Sequence, residues 1–74
     1  MAAPIVEVTA LKVILELPSG TDLSDRDLQR ELRSRLPADA ACADLGAIRE
    51  LAGYLASLGY LMVRRDEPGL YRIP

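Results

Sequence analysis

The chain has 74 residues, half of them apolar, and a net charge of −2 from nine basic and eleven acidic side chains. That length makes one domain with a modest core, and the apolar share argues against disorder. A single cysteine, Cys42, and the absence of histidine exclude an internal disulfide, a Cys/His zinc site and a His-activated nucleophile.

The opening "MAAPIVEVTA" has no charged region before its apolar residues and does not read as a signal peptide. Residues 1–8 are expected to be an N-terminal arm, with "APIVEV" offered as a homodimer contact, ahead of a single domain over residues 9–74. No apolar run is long enough to cross a bilayer, so no membrane partner is expected. The lone cysteine fits a reducing compartment, which points to the cytoplasm.

"TALKVILEL" is compatible with two periods. Leu11, Val13, Leu15 and Leu17 alternate like a strand, whereas Val8, Leu11, Ile14 and Leu15 have helical spacing. Helix is preferred, because Thr9 can cap its start and Pro18-Ser19-Gly20 can stop it. In the next segment Ser24 and Asp27 have the spacing of a capping box. Leu28, Leu32 and Leu36 then share one stripe, and Asp27 with Arg30 and Glu31 with Arg35 can pair along the surface. Pro37 ends this helix. After "PADAACA", Asp44 is a good N-cap for a third helix carrying Ile48, Leu51, Ala52, Leu55 and Leu58 on one stripe, with Gly59 at the position after its C-cap. "YLMVRR" and "LYRI" read as two strands around "DEPG", whose Pro68-Gly69 suits the centre of a type II turn. Leu61 and Val63 are expected to face inward opposite Tyr71 and Ile73.

The order helix, helix, helix, hairpin resembles the winged helix-turn-helix superfamily from about Thr9 to Ile73. The implied fold is mainly α, with three helices and a C-terminal two-stranded wing. "LAGYLASLGYLMVRRDEPGLYRI" carries most of the resemblance: the third helix ends in a Leu-x-x-x-Gly step into the wing, and basic residues precede the turn. The chain is also loosely similar to the N-terminal half of ferric uptake regulators, in "TALKVILEL", the capped second helix and the Gly-Tyr-Leu entry into the wing. It departs from them in the third helix. Those regulators place a Tyr-Arg pair there for DNA contact, where this chain has Arg49 and Glu50. Their metal-binding, dimer-forming second half has no counterpart here, so no metal and no other cofactor is expected.

The resemblance implies double-stranded DNA as partner, with the third helix in the major groove and the wing on the backbone. Advancing 100° per residue from Ile48 puts Gly46, Glu50, Gly53 and Ser57 opposite the apolar stripe, flanked by Arg49 and Tyr54. The glycines either allow close approach of a partner or occupy solvent positions where a small residue costs little. Glu50 either accepts from cytosine N4 or pairs with Arg49 or Tyr54. Arg64 and Arg65, before the turn, are candidate backbone contacts. Arg30 and Arg33 are candidates for a phosphate-binding rim, while Arg26 and Arg35 read better as paired surface residues. The candidate DNA-binding set is therefore Arg30, Arg33, Arg49, Glu50, Gly53, Tyr54, Arg64 and Arg65. The acidic balance and the small outward face of the third helix support an alternative, a protein-interaction module that docks a partner there. Tyr60 and Tyr71 are expected to pack in the hairpin and Cys42 to be a small buried residue. Asp22, Asp25 and Asp27 lack calcium-loop spacing. No two carboxylates have an acid/base arrangement, so no enzymatic activity and no catalytic residue is expected.

Overall fold

A computed structural model describes residues 4–37 and 44–74. Three helices and three short strands follow in the order α1 (Pro4–Glu16), β1 (Asp22–Ser24), α2 (Asp25–Arg35), α3 (Leu45–Ser57), β2 (Met62–Val63) and β3 (Leu70–Arg72). The architecture is mainly helical with one small antiparallel sheet, its strands ordered β1-β3-β2. The connection holding Cys42 lies outside the described residues. Among the described residues, no helix is long and apolar enough to cross a membrane.

α1 is a helix, and it starts at Pro4 rather than Thr9. Proline suits a first helical turn, where its missing N–H has no intrahelical acceptor. Most of the expected N-terminal arm is therefore helical. Thr9 lies within α1, and its hydroxyl donates to the Ile5 carbonyl at 2.7 Å instead of capping. The buried stripe is Val6, Ala10, Val13 and Ile14, while Val8 and Leu15 face outward. The helix is apolar nearly all round, so its period alone does not select the inward face.

α2 forms for the reasons its sequence suggests. The Asp27 N–H donates to Ser24 Oγ at 3.1 Å, and the Ser24 N–H donates to the Asp27 carboxylate at 3.2 Å. Two of the N–H groups that a helix start leaves without partners are thereby satisfied. Leu28, Leu32 and Leu36 are buried. Asp44 caps α3 through the Ala47 N–H at 2.8 Å. At its other end Gly59, at φ 90°, closes a Schellman motif: Tyr60 N–H donates to Leu55 O and Gly59 N–H to Ala56 O, each at 3.0 Å. Ile48, Leu51, Ala52 and Leu55 are buried, but Leu58, at the C-cap, is exposed.

The sheet has three strands rather than the expected two. β1 pairs with β3 in the register Asp22↔Arg72, Leu23↔Tyr71, Ser24↔Leu70, and β2 pairs with the other edge of β3 through Val63↔Tyr71. β3 is thus the central strand, and its Tyr71 is buried. Leu61 and Ile73 also point inward as expected, but Val63, on the edge strand, is exposed. Pro68 and Gly69 occupy the centre of the turn closed by Leu70 N–H donating to Glu67 O at 3.2 Å, with Gly69 at φ 81°. That positive φ is the type II requirement.

Candidate nucleic-acid interface

α2 brings three arginines to one flank. With Leu28 at zero, Leu32 lies at about 40°, Arg33, Arg26 and Arg30 at about 140°, 160° and 200°, and Asp27 and Glu31 at about 260° and 300°. Two contacts orient this wheel. Arg35, on the Glu31 side, donates twice to the Glu16 carboxylate of α1, at 2.7 and 2.8 Å. Asp25, on the other side, accepts from Arg49 of α3. Arg26 and Arg33 therefore tilt toward the α3 side of α2, Arg30 points straight outward, and Asp27 and Glu31 lie on the α1 side. All three arginines are exposed. Arg30 reaches Asp27 only at 3.9 Å. Among the described residues, neither Arg26 nor Arg33 has an ion-pair partner. Arg35 behaves as the expected surface pair, also meeting Glu31 at 3.5 Å. Arg26 does not.

Asp25 is a buried carboxylate, its side chain only 6% exposed. It accepts from Tyr71 Oη at 2.5 Å and from Arg49 Nε at 2.9 Å, while its own N–H donates to the Gly69 carbonyl at 2.9 Å. One residue at the start of α2 thus ties together α3, the central strand and the β2–β3 turn. Burial first, and then the bond to the Asp25 carboxylate, push the Tyr71 phenol upward, so it stays a neutral donor. The hydrogen bond to Asp25 likewise raises Arg49. Arg49 nevertheless keeps 64% of its side chain exposed. It shares with Arg26 an open cleft of about 250 Å³ between the starts of α2 and α3 and the β2–β3 turn at Glu67 to Leu70.

Not all candidate residues converge on this cleft. Glu50, Gly53 and Tyr54 are exposed along α3. Arg49 pairs with Asp25, not with Glu50. Arg64 donates to Asp66 at 2.6 Å and to Asp22 at 3.2 Å, and Asp22 also accepts from Arg72 at 3.0 Å. The Arg64 guanidinium is thus held by two carboxylates, whereas Arg65 is exposed and unpaired among the described residues. The residues that sequence reasoning kept out of the site are Asp25, weighed only as part of an acidic cluster, and Arg26, read as a paired surface residue. One signal for Asp25 was present: it shares the i, i+3, i+7 phase of Leu28 and Leu32, which puts an acid on the buried stripe.

A Cβ built on Gly53 meets no atom within 4 Å. Among the described residues, nothing requires glycine there. Gly53→Ala should therefore stabilise the protein by about 0.5–1 kcal/mol through helix propensity alone. Chemical denaturation measures this, and a loss of stability would show that α3 needs the glycine for its own packing.

Comparison with known protein families, with curated proteins and with solved structures finds no match to this chain.

Proposed function

We propose that the protein is a cytoplasmic DNA-binding regulator of the winged helix-turn-helix type, with α3 in the major groove and the β2–β3 turn against the backbone. The observation that supports this reading is the exposed run Arg26, Arg30 and Arg33 on the outward face of α2, whose first member lines one cleft with Arg49. In helix-turn-helix docking, the helix before the reading helix crosses the phosphate backbone. Arginine suits that place because its planar fork matches phosphate oxygens. The local stripe outweighs the net charge of −2, because screening confines charge effects to about 8–10 Å at physiological salt. A domain of this size covers a short half-site, so the reading includes a homodimer. Its contact is the outward face of α1, where Ile5, Val8 and Leu15 are exposed around Lys12.

The test is a titration of labelled duplex between 50 and 200 mM salt, with sedimentation of the complex. Binding through three to five arginines per chain predicts a log–log salt slope of about −2.7 to −4.5 per chain. Two chains should sediment with each duplex. Affinity that does not change with salt sinks the reading.

One observation favours a second reading, a protein-interaction module. Tyr54, Leu58, Tyr60, Met62 and Val63 are all exposed at the end of α3 and along β2. Exposed apolar groups in neighbouring elements suit a protein surface better than a polyanion. A partner recovered stably without any duplex binding at low salt would favour this second reading.

A further inference from the structure

We propose that Asp25 is a positioning residue: it holds the Arg49 guanidinium in the orientation that meets a backbone phosphate of duplex DNA. This rests on the DNA-binding reading above and adds to it a residue that never touches the DNA. A guanidinium has five N–H donors in a fixed plane. Asp25 takes only the Nε donor, at 2.9 Å, so the four donors on the two Nη atoms remain for other acceptors. The two partners are asymmetric. The carboxylate side chain is 6% exposed and the arginine side chain 64% exposed. An approaching anion therefore meets the cation first, with the carboxylate behind it.

Asp25 is itself fixed from three sides. Tyr71 holds its other carboxylate oxygen, its backbone N–H is bound to Gly69, and a Cβ built on Gly69 would lie 2.6 Å from its Oδ2. The wing turn thus closes over the carboxylate. An arginine free at the surface must lose rotamer freedom on binding phosphate, whereas Arg49 is already ordered in the free protein. The Tyr71 and Gly69 bonds, with the one from Arg49 to the carboxylate, couple the wing's position to that of the α3 cation.

A double-mutant cycle on duplex binding by the full chain tests this. Asp25→Asn keeps an acceptor for Tyr71 and keeps the backbone bond, but loses the charged hold on Arg49. It should weaken binding roughly two- to ten-fold. Arg49→Ala should weaken it by roughly ten-fold or more. The double variant should be no weaker than Arg49→Ala alone, because without Arg49 there is nothing to position. Additive losses would overturn the proposal while leaving the DNA reading intact. Arg49→Lys, at an exposed site that tolerates change, serves if Asp25→Asn does not fold. It keeps the charge and loses the planar fork, so it should bind more weakly at an unchanged salt slope, and wild-type affinity would overturn the proposal. A measurement without DNA completes the set. In the free protein the Arg49 Nε–H should give an NMR signal in slow exchange with water, and fast exchange would refute the clamp. If that signal is protected but no salt-sensitive duplex binding occurs, the DNA reading has failed and the phosphate role falls with it.

Discussion

Gly69→Val should leave a large fraction of the protein unfolded at 25 °C. Two costs act at the same residue. The first is conformational: Gly69 sits at φ 81°, and a β-branched residue held there costs on the order of 1–3 kcal/mol. The second is steric and electrostatic. The new Cβ would lie 2.6 Å from Asp25 Oδ2 and 3.4 Å from Arg49 Nη2. The carboxylate has little room to move, because Tyr71 and Arg49 bind its two oxygens. Moving the turn instead lengthens the Asp25 N–H bond to the Gly69 carbonyl. A core this small supplies only about 3–5 kcal/mol of net stability, so the sum removes most of it. Urea denaturation with far-ultraviolet dichroism measures the loss. Retention of wild-type stability would mean that the turn does not rest on the carboxylate.

The parts of the fold that were legible in the sequence are those fixed by local chemistry. Ser24 and Asp27, Asp44, Gly59 and Pro68-Gly69 each specify a backbone hydrogen bond within a few residues, and each bond is present. The stripe of α2 was legible because its leucines stand against a highly charged background. α1 was harder. Ile5, Val8 and Leu15 form one helical stripe and Val6, Ala10, Val13 and Ile14 another, and only packing against the rest of the domain decides between them. β1 escaped notice because three residues cannot show alternation, and its identity depends on pairing with β3 some 50 positions later. The site shows the same division. Exposed arginines on α2 follow from spacing. The Asp25–Arg49 and Arg64–Asp22 pairs join residues 24 and 42 positions apart, which no local pattern encodes. Asp25 was legible only as an acid in phase with the buried leucines of α2. Its meaning came from the three elements that close around it.

Reversing the charge of the α2 stripe should abolish duplex binding without unfolding the protein. In the triple variant Arg26→Glu, Arg30→Glu, Arg33→Glu, the altered side chains are all exposed, and Arg30 is 79% so. Their one ion pair among the described residues, to Asp27 at 3.9 Å, is long and solvated. Surface changes of this kind shift stability by about 0.5 kcal/mol or less each, so the thermal midpoint should move little. The effect on binding is much larger. Each charge-assisted contact to phosphate is worth about 1.5–3 kcal/mol, so losing three weakens binding by at least roughly 10³-fold. Three carboxylates facing phosphates add repulsion. The salt dependence gives a separate check, because three fewer phosphates neutralised should reduce the log–log slope by nearly three. The glutamine triple variant separates lost attraction from added repulsion: it should lose the slope but not repel. A protein partner on Tyr54, Leu58 and Met62 sits on other elements and should be indifferent to all three substitutions. Unchanged duplex affinity in the glutamate variant would rule out α2 as the backbone contact, and with it the docking in which α3 enters the groove.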